Sequence, residues 1–183
     1  MDFELGQFSD LMYELKKDDS INLMLFLGST LGNHSDLSRV LTNFRDSMTS
    51  KDYLILGVEL TNFVKVHNLL SHYDNEYAKN FATYTLSQLG VKDGEYKYDV
   101  SWNDKVNQVE IRALLNQPVK IEIADEKFTL QKNENILLAR SIKFTEYTIT
   151  KLLSDVGFRT ELLTTSEDRG YLLTMIQPTR YSA

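Results

Sequence analysis

The sequence predicts an α/β fold interrupted by an α+β lobe, and three observations carry that expectation. Two apolar runs of strand length flank an amphipathic helical pattern near the start, a block of β-type runs follows, and the strand-and-helix style resumes at the end. Ile21 to Leu27 is almost unbroken apolar sequence, and it gives way to Gly28-Ser29-Thr30-Leu31-Gly32-Asn33. That is the pattern of a buried strand ending in a tight loop where α/β proteins place ligands. Before it, Phe8, Leu11, Met12 and Leu15 fall at helical spacing and predict a helix over residues 5–17. After it, Ser35 or Asp36 can cap a helix that gathers Leu37, Val40, Leu41, Phe44 and Met48 on one face. YLILGVEL at 53–60 reads as a second buried strand. Strand, loop, helix and strand in this order form a βαβ unit, so a parallel pair with a right-handed crossover is expected.

The pattern changes after Thr61. Residues 64–89 hold two helical stretches divided by Tyr73-Asp74-Asn75, and Gly90 is placed to end the second. EYKYDVSW, VNQVEIRALL, VKIEIA and KFTLQ then read as strands separated by polar turns. From Thr145 a capped helix returns with Ile149, Leu152, Leu153 and Val156 on one face and Gly157 beyond its end. FRTELLTT and YLLTMIQ read as a closing antiparallel pair. The expected organisation is therefore a core from 1–62 and 145–183 with an inserted lobe at 63–144.

Composition narrows the function classes. The chain has 183 residues, 42% hydrophobic and 25% charged, enough for one core or one domain with an insertion. A net charge of -6 with no Lys/Arg cluster argues against nucleic acid as a partner. Without cysteine there is no disulfide framework, and His34, His67 and His72 have no metal or nucleophile spacing around them. The start, MDFELGQF, is no leader peptide, and no apolar run is long enough to span a membrane, so the expected location is the cytoplasm. Glu110 and Glu122 stand in strand-like runs, where alternation makes them the wet face of a sheet.

Phe26 to Asn33, followed by a helix and then Tyr53 to Leu60, resembles the Nα-methyltransferases that act on histidine in ergothioneine biosynthesis and their tryptophan-directed fungal relatives. Tyr73-Asp74, Val109-Glu110-Ile111-Arg112 and Ser141-Ile142-Lys143-Phe144-Thr145 follow in the same order, and Asp2-Phe3-Glu4 matches a segment beside the cofactor adenine. The resemblance implies a Rossmann-like methyltransferase sheet using S-adenosylmethionine, with a substrate-recognition lobe inserted after its fifth strand. In that frame LFLGSTLGN is the fourth strand with its loop, and the chain corresponds to the later half of such an enzyme. The Gly-rich turn for the cofactor's methionine part and the acidic residue for its ribose hydroxyls belong to the part without a counterpart here. The expectation that follows is a SAM-dependent N-methyltransferase-like protein acting on an amino acid or similar small amine. Weak or no cofactor binding by the chain alone is expected, and the expected partners are a complementing N-terminal half or a second copy paired through an exposed sheet edge. The alternative is an inactive relative serving as an interaction module or as one subunit of a split enzyme.

The resemblance also assigns site residues. Gly28 and Asn33 match the loop positions that hold the amino acid, Tyr73 the tyrosine on its carboxylate, and Ser141 a hydrogen-bonding serine. Thr30 stands where a hydroxyl faces the methyl donor, and Asp2 and Phe3 fall near the cofactor. The competing structural readings are a helix cap for Asn33, tight packing for Gly28 and core packing for Tyr73. Two departures bear on specificity. Ala139 replaces the carboxylate that binds imidazole, and Ile111 replaces a methionine. Both argue against histidine and for a larger or apolar side chain. No catalytic acid or base is assigned, because holding a neutral amine in line with a sulfonium methyl supplies much of the catalysis.

Overall fold

The computed structural model describes residues 20–61 and 66–179. The helix read over 5–17, Asp2 and Phe3 lie outside these residues. In chain order the described elements are β1 (Leu23–Phe26), a 3-10 turn (Thr30–Asn33), α1 (Leu37–Ser47), β2 (Tyr53–Glu59), α2 (Val66–Ser71) and α3 (Glu76–Gln88). β3 (Tyr96–Asn103), β4 (Gln108–Leu115), β5 (Val119–Ile123), β6 (Glu126–Leu130) and β7 (Asn135–Ile142) follow. α4 (Glu146–Asp155), β8 (Phe158–Thr165) and β9 (Tyr171–Pro178) complete the chain. The described residues divide into two compact units, one formed by residues up to 61 and from 142 onward, the other by residues 66–141.

In the first unit a four-stranded mixed sheet runs in the order β1-β2-β9-β8. β1 and β2 are parallel, joined through α1 as the βαβ pattern requires. β9 returns antiparallel to β2, and β8 pairs antiparallel with β9 with an irregularity between Thr160 and Leu162. Asp52 ties the starts of the parallel pair together: one carboxylate oxygen accepts from the backbone N–H of Asn22 at 2.8 Å and the other from that of Thr49 at 2.6 Å. Burial raises the Asp52 pKa, but these amide donors outweigh it and hold the carboxyl below its ordinary value.

Alternation along the strands sends Met24, Phe26, Leu54, Leu56, Val58, Leu172 and Ile176 to one face. There they pack with Val40, Leu41 and Phe44 of α1 and Ile149 and Leu153 of α4. Asp36 caps α1 by accepting from the Arg39 N–H at 2.9 Å. At the far end of that helix Arg45 donates to the Val156 carbonyl at 2.7 Å, linking α1 to the close of α4. α4 begins with a capping box between Thr145 and Thr148. The opposite face of the sheet is apolar at β1 without being covered: Ile21, Leu23 and Leu25 are 64%, 58% and 62% exposed. Among the described residues β1 has one strand neighbour, so a parallel strand stands at the sheet's edge.

The second unit holds a three-stranded sheet, β3-β4-β7, and a β5-β6 hairpin turned by Ala124 and Asp125, both with positive φ. Leu86 of α3 packs with Val91, Ala113, Leu115, Val119 and Ile121 to form its small apolar core. Strand β7 is absent from the sequence reading, because NILLARSI shows no clean alternation.

Candidate functional site

The loop at the carboxyl end of β1 is shaped by its own backbone and by two neighbouring strands. Gly28 has φ of +74° and Ser29 follows in the left-handed region at 59°, so the chain reverses before the 3-10 turn of Thr30–Asn33. The Ser29 N–H donates to the Gly57 carbonyl at 3.2 Å, holding the loop to β2. Gly28 N–H donates to the Tyr171 hydroxyl at 3.1 Å, holding it to β9. The Thr30 hydroxyl donates to the Leu27 carbonyl at 2.8 Å and closes the turn from within.

This geometry separates the two glycines of the motif. A Cβ on Gly32 would collide with the Ile142 carbonyl oxygen, so Gly32 is the glycine demanded by packing. At Gly28 a Cβ would meet nothing closer than Thr30 Oγ1 at 3.9 Å, so glycine is needed there for its positive φ and leaves open space beside the loop. Asn33 ends the 3-10 turn exposed, and the capping of α1 falls to Asp36 three residues later. Tight packing thus falls to Gly32 rather than Gly28, and the cap of α1 to Asp36 rather than Asn33.

The remaining sequence-assigned residues belong to the second unit. Tyr73 is half-buried in the turn between α2 and α3, and its carbonyl accepts from the Tyr98 hydroxyl at 2.9 Å. Burial, and then the negative charge of Asp74, push the Tyr98 phenol up in pKa, so it stays a donor to that turn. Ile111 is buried in β4, and Val100 of β3 is its strand partner. Ala139 and Ser141 share one face of β7 by alternation; Ser141 is buried and Ala139 half-buried. The structure thus gathers Gly28, Thr30 and Asn33 in one loop, and places Tyr73, Ile111, Ala139 and Ser141 on the turn and strands of the other unit.

Glu110 departs from the sequence reading. It is buried rather than on a wet face, accepting from Asn103 Nδ2 at 2.9 Å, Gln108 Nε2 at 3.0 Å and Arg112 Nε at 2.8 Å. Those bonds, Asn103's first and Arg112's next, hold its carboxyl below the ordinary glutamate range. Glu122 is exposed in a different sheet, so the two acids are no pair. Among the described residues no group of three or more His, Asp or Glu could hold a metal ion. No described helix is long and apolar enough to cross a membrane.

Glu59 is the one acidic side chain of segments 20–34 and 53–61, and it is engaged by the buried Lys143 ammonium. Within these two segments no other carboxylate is present for a nucleoside's ribose hydroxyls. In the loop itself Gly28 and Asn33 are exposed.

Comparison with known proteins adds the family. Residues 1–178 match the profile of the histidine-specific, SAM-dependent methyltransferases. No curated protein matches the sequence. Among solved structures, an S-adenosylmethionine-dependent methyltransferase from Clostridium acetobutylicum is similar at 10% identity, over 86% of this chain and 58% of that one, with a TM-score of 0.46. A protein from Pyrococcus horikoshii is similar at 14% identity, over 86% of this chain and 54% of that one, with a TM-score of 0.44. The sugar N-methyltransferase KedS8 from Streptoalloteichus shows 12% identity, over 99% and 61% of the two chains, with a TM-score of 0.40. The chain spans less than two thirds of the length of each.

Proposed function

The chain belongs to the histidine-specific, SAM-dependent methyltransferase family, and on that premise we propose that it holds the α-amino acid acceptor of an N-methylation whose substrate is not histidine. The observation that carries this reading is the loop after β1. Its positive-φ Gly28 opens the main chain, and its exposed Asn33 is released from helix capping because Asp36 performs it. An Asn amide offers both donors and an acceptor, which suits an amino acid's carboxylate and amine. The resemblance assigns the contact with the substrate carboxylate to Tyr73. Ala139, in the place of an imidazole-binding carboxylate, supports a substrate with a larger or apolar side chain, and an aromatic amino acid is the class we favour. S-adenosylmethionine is the family's methyl donor. Efficient transfer by this chain would draw on further groups for the adenosyl moiety.

Calorimetric titration of the whole chain with L-tryptophan and L-histidine tests the reading. Tighter binding of tryptophan is expected, with preference moving toward histidine in Ala139→Glu. Binding of neither amino acid, or a histidine preference in the unaltered chain, would overturn it. Saturation with S-adenosylmethionine at micromolar concentration would overturn the weak cofactor binding. A second reading, an interaction module, draws on the exposed apolar residues of β1 at its open edge. Sedimentation showing a monomer at high concentration would count against self-association through that edge.

A further inference from the structure

Tyr171 was assigned no role from the sequence, yet its hydroxyl meets the candidate loop from across the sheet. It opens β9 opposite Glu59 of β2. Its ring extends over Gly57, two residues before Glu59 on the same face of β2: a Cβ there would collide with the Tyr171 hydroxyl oxygen and lie 2.9 Å from Cζ. Glycine inside an otherwise bulky strand is costly in conformational entropy and packs nothing itself, so its use here clears a path for the ring. At the end of that path the hydroxyl oxygen accepts the Gly28 N–H at 3.1 Å. A phenol that accepts still has its own proton to donate. Among the described residues no acceptor takes it, and the side chain is half-buried at the carboxyl ends of β1 and β2.

We propose that Tyr171 is a positioning and substrate-contacting residue, its hydroxyl fixing Gly28 in the binding conformation and donating a hydrogen bond to a carboxylate oxygen of the bound amino acid. This rests on the reading of the loop as an amino-acid site. It also changes what Gly28 offers, since the N–H is engaged by Tyr171 and the carbonyl is the group presented to a ligand. Gly57 becomes part of the device as the vacancy that admits the ring.

The test uses the whole chain with Tyr171→Phe and Gly57→Ala. In nuclear magnetic resonance spectra both variants should shift the Gly28 amide and speed its hydrogen exchange by about five-fold, the loss of one neutral hydrogen bond. Titration with L-tryptophan and with tryptamine, which lacks the carboxylate, separates contact from mere support. Tyr171→Phe should weaken L-tryptophan by about ten-fold or more, through the lost hydrogen bond to its charged carboxylate, and tryptamine by clearly less. An unmoved Gly28 amide in both variants overturns the proposal, and so does equal weakening of the two ligands. If the unaltered chain binds neither ligand, the amino-acid reading and the substrate contact fail together, and the Gly28 amide decides alone whether Tyr171 fixes the loop. Should Tyr171→Phe fail to fold, Gly57→Ala decides by the same amide and the same pair of ligands.

Discussion

Each unit buries one member of an ion pair, and the buried member differs. In the first unit it is the cation: the Lys143 side chain is fully enclosed, while its partner Glu59 is 27% exposed. In the second unit it is the anion: Glu110 is 11% exposed at its side chain and Arg112 28%. The surroundings differ too. Glu110 collects two side-chain amides besides the guanidinium, spread over both carboxylate oxygens. A buried charge shared among several donors stays partly compensated when one of them is lost. Lys143 is next to Phe144, whose carbonyl accepts from Thr61 N–H at 2.9 Å and whose N–H donates to the Glu59 carbonyl at 3.1 Å. The pair therefore clamps the chain's return to the end of β2, beside the candidate loop's supporting strand.

The largest effect should come from removing the carboxylate in the first unit. Glu59→Gln removes the carboxylate that pairs with the enclosed ammonium and should cost about 3 to 5 kcal/mol. Trp102 in β3 is the chain's one tryptophan, so its fluorescence follows the second unit, whereas far-ultraviolet dichroism follows both. In denaturant titrations of Glu59→Gln the dichroism transition should move to lower denaturant more than the Trp102 transition does. Equal movement of the two, or a change below about 1 kcal/mol, would erase the contrast drawn above.

A smaller loss is expected from the second unit. Glu110→Ala strands two amides and an arginine that can turn toward solvent, a cost of about 2 kcal/mol read at Trp102. The pH dependence sharpens the point. The folded-state carboxyl of Glu110 is held below its unfolded value. Its contribution is therefore complete above the unfolded pKa of about 4.3 and is lost as pH falls through the folded pKa. The stability gap between the unaltered chain and Glu110→Gln should be constant from neutral pH to about pH 5 and shrink below about pH 4. A gap that widens on acidification would mean that the carboxyl is not held down.

What the sequence disclosed follows from how local each cause is. The parallel pair, its crossover helix and the closing antiparallel strands were legible because apolar spacing and caps such as Thr145 lie within a few residues of one another. The loop was legible for the same reason, with Gly28 and Asn33 five residues apart. Strand β7 escaped because Ile136, Leu137, Leu138 and Ala139 are all partly buried and show no alternation. Glu110 was misread because alternation speaks for a wet face, while the amides that enclose it come from Asn103 and Gln108 around a turn. Tyr171 could not be read at all from local pattern, since it meets Gly28 across 143 positions. Gly57 was the available signal: an isolated glycine in a bulky strand marks a close approach.

The smallest effects concern the helix caps, where the units again differ in charge. Asp36 caps α1 with a carboxylate, and Asn75 caps α3 with a neutral amide that accepts from Ala78 N–H at 3.0 Å and donates to the His72 carbonyl at 2.8 Å. Replacing either by Ala should cost about 1 kcal/mol, with Asp36→Ala read by dichroism and Asn75→Ala also by Trp102. The conservative exchange separates bond from charge. Asp36→Asn keeps an acceptor for the Arg39 N–H and loses the favourable interaction with the helix dipole, so it should cost a few tenths of a kcal/mol, and less at high salt. If Asp36→Asn costs as much as Asp36→Ala, the charge rather than the bond holds the start of α1. Added salt would then weaken the helix behind the candidate loop in the unaltered chain while leaving α3 as it is.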